Sequence, residues 1–137
     1  MIQSTGDCKV YAFPMETRQV LLNLVRNACE ATTHRGGQVR ITMQGKADSV
    51  NIQVADEGAG ISPSIIPSLF QFGVSTKGDH GNGMGLWAVR KIISRHGGTI
   101  EVESKLGGGT RFTIIWPRQF PARITRPNNV VAIARGR

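Results

Sequence analysis

Residues 38–55 read QVRITMQGKADSVNIQVA. Val39, Ile41 and Met43 alternate with Arg40, Thr42 and Gln44, and Val50, Ile52 and Val54 alternate with Asn51 and Gln53. A period of two puts successive side chains on opposite faces of an extended chain. Each run, 38–44 and 49–55, therefore reads as a strand with one face in a core and the other in water. Gly45 and Asp48 lie between them and supply a turn. The pair is an antiparallel hairpin, and the rest of the chain must cover its apolar face.

Toward the N-terminus, residues 16–32 (ETRQVLLNLVRNACEAT) carry apolar side chains at helical spacing. Acidic Glu16 at the start complements the helix dipole, and Gly36-Gly37 closes the segment. Residues 8–13 read as a short strand stopped by Pro14. Toward the C-terminus, residues 56–84 are rich in Gly, Pro and Ser, with at most a short helix around 63–70. A second helix, 85–96, ends at Gly97-Gly98. Strands 99–104 and 110–116 follow, joined by Lys105-Leu106 and three glycines. The order strand, helix, hairpin, loop, helix, hairpin predicts an α+β fold: a mainly antiparallel sheet with helices on one face.

Composition bounds the function. With 137 residues, 39% of them hydrophobic, the chain fits one folded domain and is not disordered throughout. No apolar run approaches the roughly 20 residues that span a bilayer, and no secretion signal opens the chain. Cys8 and Cys29 make neither a disulfide framework nor a zinc site, which fits a reducing cytoplasm. The net charge of +8 is unevenly placed. Arg118, Arg123, Arg126, Arg135 and Arg137 lie after Pro117 with no acid among them. Residues 1–117 are expected to form the domain and 118–137 a flexible basic tail. Only Phe120 accompanies the tail arginines, so no base-stacking platform and no nucleic-acid partner is expected.

At about 100° per residue, Asn23, Arg26, Asn27 and Glu30 share one arc of the first helix, and apolar residues fill the rest. This predicts a mostly buried helix with a narrow polar stripe. A solvated face would explain such a stripe, but Asn is a poor helix former. Two side-chain carbonyls at i, i+4 suit hydrogen bonds or a hard cation such as Mg²⁺. After the second hairpin strand comes Asp56-Glu57-Gly58-Ala59-Gly60. A carboxylate there can accept hydrogen bonds from an amino group, or simply tip a tight turn. Gly78, Gly81, Gly83 and Gly85 lead into the second helix, where free N–H groups attract phosphate. The spacing is neither GxGxxG nor a Walker loop, and Lys77 could add a cation.

Taken in order, LLNLVRNACEA, DEGAGI, LFQFGVSTK, GNGMGL and GGGT resemble the N box, F box and three glycine-rich boxes of the ATP-binding catalytic domain of sensor histidine kinases. The resemblance covers about residues 19–116, and the NACEAT form resembles the nitrogen-regulation-like branch. It implies the Bergerat fold, a two-layer α/β sandwich, whose first strand is expected to be truncated in residues 1–7. It also implies Mg²⁺ and ATP. Asn27 would be the metal ligand, with Asn23 helping at the phosphates and Glu30 beside them. Asp56 would receive the adenine amino group, Gly58 and Gly60 would admit the base to the backbone, and Ile61 and Thr110 would lie near it. Phe70 and Phe72 would pack beneath the lid. Lys77, Gly81, Gly83, Gly85 and Leu86 would close over the phosphates. Where many members have Lys and an aromatic after the metal Asn, this chain has Glu30 and Ala31.

Hydrolases with this fold place a Glu where Asn23 stands, and an amide has no useful basicity. The resemblance therefore implies phosphoryl transfer to protein, with Asn23, Asn27 and Lys77 as the catalytic set. His34, His80 and His96 lack the acidic flanks of the family's phosphoacceptor. The expected acceptor is a histidine on the protein's own upstream dimerisation domain, and a response regulator receiver domain follows indirectly. The isolated domain is expected to be monomeric, cytoplasmic and without membrane contact. Trp87 falls opposite the apolar Leu86, Val89, Ile92 and Ile93, either beneath tail or lid or against the helical partner.

Overall fold

A computed structural model describes residues 1–73, 85–121 and 130–133. Its strands are β1 (Ile2–Thr5), β2 (Lys9–Tyr11), β3 (Val39–Gly45), β4 (Ser49–Asp56), β5 (Thr99–Ser104), β6 (Thr110–Pro117) and β7 (Val130–Ala132). The helices are α1 (Pro14–Thr32) and α2 (Gly85–Arg95), with a 3₁₀ turn at Ile66–Ser68. Five strands form one sheet in the order β1-β3-β4-β6-β5. Only the β1–β3 pair is parallel, so the sheet is mixed and mainly antiparallel.

Register follows the hydrophobic alternation. Ile41 pairs with Val54, Met43 with Ile52, Ile52 with Ile114, and Val54 with Phe112. A slip of one residue would turn all of these to solvent, so the pattern fixes the pairing. Val20, Leu24 and Ala28 of α1 and Val89, Ile92 and Ile93 of α2 cover that face.

Four features differ from the sequence expectation. First, α1 opens at Pro14 rather than at Glu16. Pro lacks an N–H and has a helical φ, so a residue that stops a strand also starts a helix. Second, α1 is amphipathic rather than mostly buried. Thr17, Val20, Leu24 and Ala28 form the buried stripe, whereas Leu22 is 47% exposed and Cys29 is exposed. Third, residues beyond 117 join the fold. Phe120 is buried, β7 pairs antiparallel with β2, and Val131 packs on the core. The Arg118 guanidinium donates to the carbonyls of Lys9, Asp7 and Lys46, so this charge stitches three segments together. Arg123, Arg126, Arg135 and Arg137 lie outside the described residues. Fourth, residues 2–5 form a strand on the edge of the sheet, where the sequence shows little of one.

His96 joins the two helices. Its Nδ1–H donates to the Ile92 carbonyl at 2.8 Å, and its Nε2 accepts the Phe13 N–H at 3.2 Å, just ahead of α1. Phe13, Trp116 and Phe120 surround the ring. One ring proton satisfies both bonds, and a second would set N–H against N–H. Burial pushes the imidazole pKa down from 6.5; the Ile92 carbonyl and Glu16 oppose this and Arg95 assists it. The unfolded chain therefore takes up the proton first. This stability term is full above pH 6.5 and is lost as pH falls below it toward the folded-state pKa. Melts at pH 7.5 and 5.5 should show a larger loss for the parent than for His96→Gln. An equal loss in both would remove His96 as the titrating group.

Candidate active site

Two loops interlock where β4 ends and β6 begins. Asp56, the last residue of β4, lies opposite Thr110, the first of β6. Asp56 Oδ1 accepts the Gly58 N–H at 2.8 Å. Burial pushes the carboxyl pKa up, and backbone N–H groups of Gly58 and Thr110 oppose it. The carboxylate is therefore partly stripped of water, with two N–H donors holding its place.

The glycines of this region follow from close backbone approach. A Cβ on Gly58 would lie 2.5 Å from the Ala31 carbonyl oxygen, so the loop presses on the last turn of α1. Gly60 has φ +74° and a Cβ there would overlap the Lys105 carbonyl. Gly109 has φ +87° and a Cβ there would overlap the Asp56 carbonyl. The Gly107 N–H donates to the Ala59 carbonyl at 2.7 Å. The expectation at Gly58 and Gly60 is that a base approaches the backbone; the structure adds that the backbones of Ala31 and Lys105 already need the clearance there.

Ser104, which the sequence reading passed over, ties the loops together. Its Oγ accepts the Ile61 N–H at 2.8 Å, donates to the Gly109 carbonyl at 3.0 Å and meets Thr110 Oγ1 at 2.8 Å. The signal was the alternation of 99–104: Ile100 and Val102 pack toward the core, and Ser104 continues their face. Thr110 is buried. An open cleft of about 400 Å³ at this sheet end is lined by Asp56, Ser104, Gly109 and Thr110, with Glu103, Lys105 and Arg111 at its sides.

The helices supply the other half. Asn23 and Asn27 are partly buried one turn apart on α1, and Glu30 is exposed one turn further. Asn23 Nδ2 donates to the Gly85 carbonyl at 3.3 Å, which joins α1 to the first residue of α2. Leu86 packs against the core. Phe70 meets Phe112 edge-on at 6.2 Å and packs against the core. Phe72 is exposed and meets Trp87 edge-on at 5.2 Å, and Lys91 Nζ lies 5.8 Å from the Trp87 ring. Asp56, Gly58, Gly60, Ile61 and Thr110 thus come together at one sheet end, and Asn23 with Gly85 at the helix junction. Lys77, His80, Gly81 and Gly83 lie outside the described residues. No helix among the described residues is long and apolar enough to cross a membrane.

A sequence profile of the histidine kinase-, DNA gyrase B- and HSP90-like ATPases matches residues 14–119. The sensor histidine kinase ZraS of Klebsiella oxytoca is 40% identical over 111 residues, which cover 80% of this chain and 24% of that protein. The histidine protein kinase DivJ of Caulobacter vibrioides is 40% identical over 116 residues, covering 82% and 19%. The chain spans about a quarter or less of the length of these relatives. The catalytic domain of the histidine kinase ThkA superposes with a TM-score of 0.74 at 33% identity, over 85% of this chain and 76% of that one. The mycobacterial sensor histidine kinase MprB gives 0.73 at 23% identity, over 88% and 83%, a likeness of fold.

Proposed function

The chain belongs to the histidine kinase-, DNA gyrase B- and HSP90-like ATPase family and has the Bergerat fold of histidine kinase catalytic domains, and from that premise we propose that it binds Mg·ATP and transfers the γ-phosphoryl group to a histidine on a helical dimerisation domain of the same protein. That phosphohistidine would serve an aspartate of a response regulator in the cytoplasm. Residues Glu30 and Ala31 after Asn27 support a place in the nitrogen-regulation-like branch.

The observation that carries the reading is the side chain at position 23. Its amide donates to the Gly85 carbonyl at 3.3 Å. A carboxylate there would face that carbonyl with like partial charge, and an amide cannot take a proton from water. The site is therefore suited to hold phosphates for a protein nucleophile rather than to activate water. A neutral imidazole needs no base, and catalysis is mostly positioning and charge neutralisation. The adenine amino group would be received by Asp56, with Thr110 beside it. The side-chain oxygen of Asn27 is a hard donor and fits Mg²⁺. When bound, the ion would neutralise phosphate charge. Lys77, Gly81, Gly83 and Gly85 would close over the phosphates.

The test supplies γ-labelled ATP, Mg²⁺ and the histidine-bearing dimerisation domain in trans. Acid-labile label should appear on that domain. Asn27→Ala should lower the rate by about 10²-fold or more, the scale of losing one electrostatic stabiliser. Phosphate release to water at the same rate with and without the domain would make the chain a hydrolase instead.

A further inference from the structure

The hydroxyl of Ser104 has one proton and two lone pairs. The Gly109 carbonyl, 3.0 Å away, can only accept, so it takes the proton. The Ile61 N–H, 2.8 Å away, can only donate, so it takes one lone pair. Thr110 Oγ1 lies 2.8 Å from Ser104 Oγ, and the one assignment that makes all three contacts hydrogen bonds has Thr110 as the donor. Thr110 Oγ1 is left with lone pairs alone. Across the β4–β6 register from Thr110 stands Asp56, whose ionised carboxylate is also an acceptor only.

We propose that Ser104 is a positioning residue that fixes the Thr110 hydroxyl as an acceptor, so that with Asp56 the cleft selects a purine edge bearing an amino group over one bearing an oxo group. This rests on the reading of the cleft as a nucleotide site. Two fixed acceptors match the protons of an amino group. A carbonyl oxygen in the same place would set lone pair against lone pair. Without Ser104, the Thr110 hydroxyl turns freely and can donate to that carbonyl. Discrimination then falls more than affinity does. A purely architectural serine would lower stability, and affinity for both nucleotides, together.

The experiment is calorimetric titration with ATP and inosine triphosphate, which differ at that edge. The proteins are the parent, Ser104→Ala, Ser104→Thr, Thr110→Val and Asp56→Asn. The parent should prefer ATP. Ser104→Ala should lower the ATP-to-inosine ratio by about tenfold, the scale of one hydrogen bond. Ser104→Thr, which keeps the hydroxyl, should restore it. Thr110→Val should reproduce the loss, and it supplies the test if Ser104→Ala does not fold. An unchanged ratio in Ser104→Ala, or in Thr110→Val if that is the variant that folds, overturns the proposal. If Asp56→Asn still weakens ATP in that case, the nucleotide reading stands without it. A folded parent that binds neither nucleotide overturns both.

Discussion

Replacing Asp56 by Asn is expected to weaken ADP and ATP binding by about 100-fold while the folded domain melts at an equal or higher temperature. The two effects have one cause. Burial pushes the carboxyl pKa above its ordinary 3.8, and the N–H groups of Gly58 and Thr110 only partly offset it. A folded-state pKa above the unfolded one means that the protonated form stabilises the fold. That contribution is complete below pH 3.8 and is lost as pH rises through the folded-state pKa. At neutral pH the bare carboxylate is thus a cost to the fold. Asn keeps an oxygen for the Gly58 N–H, 2.8 Å away in the parent, gives up at most the lesser contact with the Thr110 N–H, and carries no charge. For a bound amino group the balance reverses, because the ligand supplies donors to a carboxylate already stripped of water. A hydrogen bond to a charged group contributes about 1.5–3 kcal/mol, which makes the loss about 100-fold. Calorimetry and thermal melts on the same samples check both halves. Equal binding by parent and variant removes Asp56 from the site. Lost binding together with a lower melting temperature makes Asp56 an architectural residue.

What the sequence shows of this molecule, and what it hides, divides along chain separation. Strands β3, β4, β5 and β6 are readable because their burial alternates within a few residues. Asp56 and the asparagines of α1 stand out because each is costly in its local setting. A carboxylate at an apolar strand end and two Asn within a helix both call for a reason. By contrast, β1 and β7 are short edge strands of four and three residues. No alternation marks so short a run, and β7 is held by β2 from the far end of the chain. Ser104 is hidden for a similar reason. A serine at a strand end is ordinary, and its meaning lies in Ile61, 43 residues earlier in the chain. The glycines at 58 and 60 are legible as unusual, but one reason for them, close backbone contact, is not, since Ala31 lies in α1 and Lys105 follows β5.

That reason can be separated from simple backbone freedom by a matched pair in one loop. Gly107 has φ +80° and Gly109 has φ +87°, so alanine meets the same left-handed strain at both, about 1–2 kcal/mol. A Cβ on Gly107 meets nothing within 4 Å. A Cβ on Gly109 overlaps the Asp56 carbonyl oxygen and lies 3.2 Å from the Glu57 Cα. These are backbone atoms and cannot rotate aside, so the end of β4 must move away from the start of β6. Gly107→Ala should therefore lower the melting temperature by a few degrees, on the usual scale of about 4–8 °C per kcal/mol for a domain somewhat smaller than this one. It should leave nucleotide affinity near that of the parent. Gly109→Ala adds the overlap to the strain and should cost about 3 kcal/mol or more. It should also lose nucleotide binding, because the Asp56 carboxylate and the Thr110 hydroxyl are displaced from each other. Thermal melts and ADP titrations of the two variants decide it. Equal losses at both positions would mean that φ alone explains Gly109. A loss of affinity confined to Gly109→Ala would mean that this glycine sets the spacing between the two acceptors of the cleft.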